Sequence, residues 1–583
     1  MRSFLLISFR CLPPPCLSLL PILLNYHSSI QCLSENPMLT YLPPDRRPLA
    51  PTYEKPWLLL LLVFAWLWPG VFSHGLWNSE PAISAAINEI SSGSKVWIPT
   101  VLGEPLLTIS PVYFWVAGAF RQLLSPHIAD SFAAARFASV LFTAIGLTAC
   151  GAAGFRLLGR HQGRSVVLIL IGSAGLMVSG HLLDGMSVQF AALSLVLYGF
   201  SLAHRRVIMA SLLLGLGWAM LAWAAGYLVP LALMLTAVSL LASPLWQVKR
   251  YYISLLGALV VALPLMLIYP MALYRSDPEV FELWRLYYAF GSFGGLADFK
   301  LDFSAGYYLK NLLWFAFPAW PLAAWTLSRC QPAKEAWVPL ALAWLVEMGL
   351  LLAVIPQSHQ DNLLWILPPL ALLGAAKLDS LRRGAGAFLN WFGIMTFGLA
   401  AIFLWLGFFA MNFGWPAKLA ERAAYFSPYY VTDIDPIPMT VALLFTPIWL
   451  FAITRKRIRG RQAVTNWAAG ATLVWALLMT LFLPWLDAAK SYQPVVQQMQ
   501  AAAPAEVNNG TTCVAVSAGE RDARLAWAQY SEVQLTTGEQ AAACRYRLVK
   551  VHEKYTPSAD WQTLWQGNRP RSKGVVFALQ QHL

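Results

Sequence analysis

Glu80 and Asp184 are the two acids of this chain best placed to do chemistry. Each sits in a polar stretch that interrupts apolar sequence: Glu80 just after the first long apolar run, Asp184 in the short turn of SGHLLDGMSV between two later runs. Charge is costly near a bilayer, so a carboxylate kept at such a junction is a candidate for function. With both at one depth on one face, either can, while ionised, orient an acceptor hydroxyl or take its proton. Plainer readings stand beside this one: Asp184 as the N-cap of the helix that follows, and Glu80 as a solvated interfacial charge. His181, His359 and Asp361 come to the same face from other turns. With Glu80 they offer donors to a divalent metal, although no tight ligand spacing marks a site and span-end histidines are ordinarily interfacial polar groups. No glycine-rich phosphate loop, Ser-His-Asp constellation or CxxC pair occurs.

The elements that must position these acids follow from composition. Of 583 residues, 58% are hydrophobic and 12% charged, against about 25% charged in soluble domains, so the fold class is an all-α polytopic membrane protein. Apolar runs near 57–73, 132–155, 165–181, 186–203, 207–224, 226–243, 251–272, 309–328, 336–355, 362–376, 387–412, 438–454 and 464–485 predict about 13 transmembrane helices. The net charge of +13 resides in short alternate loops, at Arg156/Arg160/Arg164, Arg205/Arg206, Lys249/Arg250, Arg329/Lys334, Arg382/Arg383 and residues 455–461. That alternation encodes an inner face rather than nucleic-acid binding. It sends Glu80, Asp184 and the tail after Leu486 to the outer face. A transporter reading would want charge at mid-membrane, and the charges stand mainly at span ends.

Three segments divide the chain. Residues 1–37, with Cys11, Cys16 and Cys32 and proline-broken apolar runs, read as a start-site extension ahead of Met38 or as a disordered lead-in. Residues 38–486 form the helical body, and 487–583 a small C-terminal α/β domain. In that tail, helices are expected at 494–501 and 521–530 and strands at 513–517, 546–551 and 574–579. Cys513 and Cys544 can pair if the tail lies in an oxidising compartment. Asn509-Gly510-Thr511 is a glycosylation sequon or simply a turn. Within the long first outer loop, 74–131, Ser79 can cap a helix carrying Glu80 and Pro81 in its first turn, and Gly93 can stop it. Ile83, Ile87 and Ile90 give that helix one apolar stripe, which should lie flat at the interface. Aromatic side chains such as Trp284, Tyr287, Tyr288, Tyr307, Tyr308 and Trp314 crowd other outer loops, as a membrane belt or as faces for sugar rings and lipid tails.

Ordered along the chain stand GLW at 75–77, Ser79-Glu80, SGSKVWIP at 92–99, LGEPL at 102–106, SPVYFW at 110–115, LLDGMSVQFAALSLVLY, LLLGLGWAML, QSHQDNLLWILPPLALL and the ending WQTLWQGNRPRSKGVVFAL. Together these resemble the glycosyltransferase family 39 group of the GT-C superfamily, which takes in the lipid A aminoarabinose transferase and the protein O-mannosyltransferases. The resemblance implies a GT-C-like bundle in the bacterial inner membrane with a periplasmic tail domain. It implies inverting transfer of a sugar from a polyprenyl-phosphate donor to a lipid A, glycan or protein acceptor, with Glu80 and Asp184 as the acids. Departures are clear. Ser79 stands where the family has the Asp of an Asp-Glu pair, and Thr108, Ile109 and Ser110 replace an acid, a lysine and a proline. Ala224-Ala225-Gly226 replaces a Lys-Gly turn, and Trp365 stands where Tyr is usual. The missing cations neutralise the departing lipid phosphate in relatives. Arg285 and Lys310, then Lys95 and Arg136, are the stand-ins available, with Tyr113 and Trp365 as further substrate contacts. A divalent metal is the one cofactor left open. The second implied function is a catalytically inactive relative serving as a binding or scaffold subunit in envelope polysaccharide assembly.

Overall fold

The computed structural model describes residues 57–583 apart from 73, 78–79, 92–95, 455–459, 553–557, 559, 571 and 573. The expectations placed on residues 1–37, Met38, Ser79, Gly93, Lys95 and the cations at 455–459 lie outside the described residues.

With no water to satisfy peptide groups in a bilayer, apolar runs must close their hydrogen bonds internally, and each predicted run is helical. The chain begins with α1 (Trp57–Leu67), α2 (Glu80–Ser91), a two-residue ribbon of β1 (Thr100–Val101) and β2 (Glu104–Pro105), and α3 (Pro111–Leu124). Asp130 then accepts the N–H groups of Phe132 and Ala133 and starts α4 (Ser131–Leu158). The run at 165–181 is broken into α5 (Arg160–Ile171) and α6 (Ala174–Ser179); α7 (Met186–Leu202), α8 (Val207–Ala225), α9 (Leu228–Ser239) and α10 (Lys249–Ser276) follow. Next in the chain are α11 (Pro278–Tyr287), α12 (Ala305–Phe315), α13 (Ala319–Leu327), α14 (Trp337–Ala353) and α15 (Leu367–Ala376). Then come α16 (Arg383–Phe413), the exposed α17 (Ala417–Phe426), α18 (Pro436–Ile453), α19 (Gly460–Leu481) and the short α20 (Leu483–Lys490).

Among the described residues six helices are long and apolar enough to cross a membrane alone: α4, α8, α10, α16, α18 and α19. Several other predicted runs are shorter apolar helices, and three are split, at Gly172–Ser173, around Pro318 and before α15. The molecule is an integral membrane protein whose central helices α4, α7, α8 and α10 pack side by side. The largest apolar core joins these helices to α5, α9, α14 and α15 and includes Phe190, Trp218, Trp344 and Leu372.

The tail folds as α21 (Gln493–Ala502), α22 (Ala505–Asn508) and α23 (Arg521–Tyr530) against five strands: β3 (Val514–Val516), β4 (Leu535–Thr536), β5 (Tyr546–His552), β6 (Trp561–Gly567) and β7 (Val575–His582). The sheet order is β4-β3-β5-β7-β6, parallel across β4-β3-β5 and antiparallel across β5-β7-β6. A disulfide joins Cys513 to Cys544. The strand Trp561–Gly567 has no counterpart among the sequence expectations.

Candidate active site

Trp77 and Glu80 start α2 together. The Glu80 N–H donates to the Trp77 carbonyl, and the Glu80 Oε2 accepts the Trp77 N–H at 2.8 Å, a reciprocal cap built with glutamate. The same oxygen takes the Arg136 Nη2 of α4 at 2.9 Å, and Oε1 accepts the Leu183 N–H at 3.3 Å. Glu80 is 5% exposed and Arg136 1%. Neither the solvated-charge reading of Glu80 nor a stand-in role for Arg136 at a lipid phosphate fits this placement. Arg136 is spent on Glu80 and on the carbonyls of His74 and Gly75. The isoleucine stripe also departs from expectation. Ile83 and Ile87 are buried in one cluster with Tyr113, Phe114, Phe142 and Leu183, with Leu525 of α23 closing it, so the apolar face of α2 is covered by protein.

The turn carrying Asp184 is clamped from both sides. Glu80 holds its Leu183 N–H, and the Ser139 hydroxyl donates to the Leu182 carbonyl at 2.7 Å. Tyr113, fully buried, meets Ser139 at 2.8 Å. Asp184 accepts the Met186 N–H at 2.9 Å and stands one residue ahead of Gly185, the N-cap of α7. It is half-buried. Burial pushes its carboxyl up to about 8; the Met186 N–H opposes this, and the charges of Asp361 and Glu80 add to it. Asp361 in turn accepts the Ser179 hydroxyl at 2.6 Å. Glu80, Asp184 and Asp361 thus form one acidic group at one end of the bundle. Glu80 is locked by its partners, and Asp184 is the acid carried on the turn itself.

Beside this turn lies a cavity of about 230 Å³. Its wall takes in Ile109 and Pro111 from the first loop, Met186 and Gln189 from the start of α7, Trp223 at the end of α8, and Trp365. Glu80, Asp184 and Asp361 are not part of that wall. The Trp365 indole N–H donates to Gln189 Oε1 at 2.9 Å, while the Gln189 amide donates to the Ala224 carbonyl at 2.9 Å. Gln189 was not singled out in the sequence; a lone glutamine inside the otherwise apolar run 186–203 is the signal that could have found it. A second, more open groove of about 320 Å³ runs between Trp97 and the α10 residues Ile268, Met271 and Arg275.

The remaining sequence candidates are not among the residues of that wall. Arg285 on α11 is exposed and paired with Glu282 at 2.7 Å, and Lys310 is exposed on α12. His181 has Nδ1 at 2.7 Å from the Met177 carbonyl and Nε2 at 2.9 Å from the Trp66 carbonyl, its ring wedged between Trp66 and Trp475. Each nitrogen faces a carbonyl acceptor, and the ring N–H donates to one or the other according to the tautomer. His359 is exposed, and among the described residues no three His, Cys, Asp or Glu side chains converge as a metal set.

No family model matches the chain. It is similar to the undecaprenyl phosphate-alpha-4-amino-4-deoxy-L-arabinose arabinosyl transferase of Pseudomonas aeruginosa UCBPP-PA14, at 27% identity over 451 residues, 73% of this chain and 75% of that protein. It is 26% identical over 371 residues to the second such transferase of Pseudomonas fluorescens Pf0-1, covering 60% of this chain and 64% of that one. Among solved structures, ArnT from Cupriavidus metallidurans in the apo state aligns with a TM-score of 0.62 at 14% identity, over 90% of this chain and 98% of that one. The same protein bound to undecaprenyl phosphate aligns with a TM-score of 0.58 over the same shares. The chain therefore has the ArnT fold, and the GT-C resemblance read from its motifs stands.

Proposed function

We propose that this chain is an inverting membrane glycosyltransferase, moving a sugar from a polyprenyl-phosphate donor to a lipid A, glycan or protein acceptor at the periplasmic face of a bacterial inner membrane. The observation that carries this reading is the likeness, over three quarters of their length, to transferases named for undecaprenyl phosphate-linked aminoarabinose, joined to the fold of a protein solved with undecaprenyl phosphate.

The geometry suggests a division of labour. The sugar ring enters the cavity beside the Asp184 turn, where Trp365, locked by Gln189, gives it a fixed aromatic wall. An acceptor hydroxyl attacks the anomeric carbon from the side opposite the phosphate. The new C–O bond forms as the bond to the phosphate oxygen breaks, and that oxygen keeps the electron pair. The proton leaving the hydroxyl passes to Asp184 in its carboxylate form. Glu80, held by Trp77, Arg136 and Leu183, is a positioning residue that acts on the reaction through the Leu183 backbone and Arg136. A cavity near 230 Å³ falls below the roughly 300–1,000 Å³ of drug-sized pockets, a size for one sugar ring with its lipid outside.

The test is mass spectrometry of lipid A, envelope glycans and envelope proteins from cells with and without the chain, repeated with D184N. A sugar-sized mass that disappears with the chain and with D184N is expected. Identical profiles in all three strains would remove the reading.

A further inference from the structure

We propose that the inner-face ends of α13 and α16 bind the phosphate of one anionic phospholipid, a site that stands apart from the transferase reading. Like charges converge there. Arg329, two residues past the end of α13, holds its guanidinium 4.7 Å from the centre of the Trp325 ring. Arg382, the residue ahead of α16, holds its own 5.8 Å from the same ring. Arg383 follows as the first residue of α16, and all three arginines are exposed. An excess of cations on the inner face sets topology, but topology needs only their number and does not gather two of them on one indole. A cation–π contact orients a guanidinium without neutralising it, and two guanidinium groups drawn to one ring repel each other. The carboxylates nearest in sequence are matched elsewhere: both oxygens of Asp379 accept from Arg461, and Glu335 meets Lys377 at 2.5 Å. The chain leading into α19 adds to the surplus, since residues 455–459 comprise four cations and an isoleucine. A phosphate offers acceptor oxygens to both arginine forks at once and relieves their repulsion.

The surface alongside favours a lipid as the source of that phosphate. From Trp325 and Arg382 the seam between the two helices runs inward to Phe392 of α16. Phe392 meets Phe317, just ahead of α13, at 5.9 Å and stacks on Phe388 at 5.8 Å. Phe388 is 68% exposed and Leu327 37%. A headgroup held between the arginines therefore leaves its acyl chains beside apolar surface within about two helical turns, contact that a soluble phosphate would not use. The bound phosphate would also tie the end of α13 to the start of α16.

The experiment uses the full chain in detergent, with bound lipid counted by native mass spectrometry during titration with phosphatidylglycerol or zwitterionic phosphatidylethanolamine. One phosphatidylglycerol is expected to be retained at least about tenfold more tightly than phosphatidylethanolamine. Each charge removed, in R329Q or R382Q, should weaken that retention about fivefold. R205Q/R206Q, which takes two exposed cations from another inner loop, should leave it unchanged. Phosphatidylglycerol should also raise the melting midpoint of the parent and not that of R329Q/R382Q; if that double variant fails to fold, the single variants decide. Inorganic phosphate at the same concentration should not displace the lipid. Equal retention of the two lipids overturns the inference, and so does an equal loss in R205Q/R206Q, which would mark diffuse attraction to a basic face. Displacement by inorganic phosphate would overturn the lipid assignment in favour of a free-anion site.

Discussion

At the scale of single residues, Glu80 and Asp184 call for different tests because their surroundings differ. Glu80 neutralises a guanidinium that is itself buried. Removing one partner of such a pair costs about 3–5 kcal/mol, since the other charge is left stranded. E80A is therefore expected to lower the thermal midpoint markedly, and to lose activity in step with folding; replacing both partners by E80L and R136M should recover much of the stability. Scanning fluorimetry of the purified variants decides this. An E80A protein that melts like the parent yet transfers no sugar would show Glu80 touching the chemistry directly. Asp184 is read by pH instead. Its carboxyl is pushed up to about 8 by burial and by the neighbouring acids, so at neutral pH it holds its proton in the free protein. If the carboxylate is the working form, kcat/KM rises about tenfold per pH unit below 8 and levels off above it. D184N should abolish both the activity and that limb; a flat profile from pH 6 to 9 would remove Asp184 from the proton's path.

At the scale of elements, the helices were legible and the way they are interrupted was not. Composition alone marks each apolar run, because a chain in lipid has few alternatives to helix. The break between α5 and α6 is different. It leaves the Gly172 carbonyl without a helical partner, and the Trp467 indole N–H of α19 supplies one at 2.8 Å from 295 residues away. No local pattern announces that. The isoleucine stripe of α2 was legible in the same limited sense, since its period fixes a buried face but not whether lipid or protein buries it. Charge placement shows the same gap: Glu347 stands within the apolar α14, away from the span ends where charge was expected. Its two oxygens are met by the hydroxyls of Thr236, at 2.5 Å, and Ser239, at 2.8 Å, both on α9. It reads as a polar clasp between two helices, and a transporter's mid-membrane charge is not needed to explain it. E347A is expected to destabilise by about 0.5–1.5 kcal/mol while leaving transfer unchanged, and E347Q by less. A loss of transfer in E347Q at unaltered melting would point to more than a clasp. In the tail, C513S/C544S should cost about 2–4 kcal/mol in the tail's own unfolding, visible as earlier proteolysis of that region.

At the scale of the whole molecule, the first loop and the tail meet on the segment 74–77, more than 400 residues apart in sequence. Asp487 accepts the Gly75 N–H at 2.9 Å and the Trp77 indole N–H at 2.7 Å. Tyr530 Oη accepts the Leu76 N–H at 2.6 Å, and the Lys490 ammonium lies 4.7 Å from the centre of the Trp77 ring. The other side of the same segment is gripped by Arg136 and Glu80, and Glu80 reaches the turn of Asp184. Packing is so close that a Cβ on Gly75 would fall 2.7 Å from the Ser491 hydroxyl and 2.8 Å from the Tyr530 hydroxyl. Overpacking of this kind costs about 1–3 kcal/mol, and here the strain would fall on the contact between tail and loop. G75A is thus expected to expose the linkage near Ser491 to protease and to reduce sugar transfer without touching any residue of the cavity. Y530F removes one of the two clashing oxygens, so G75A/Y530F should be less impaired than the two single effects combined would give. Limited proteolysis and transfer assays on the four proteins measure that non-additivity. If G75A leaves both readouts at parental levels, the tail is a passenger on this face and the chain of contacts from Asp487 to Asp184 carries no function.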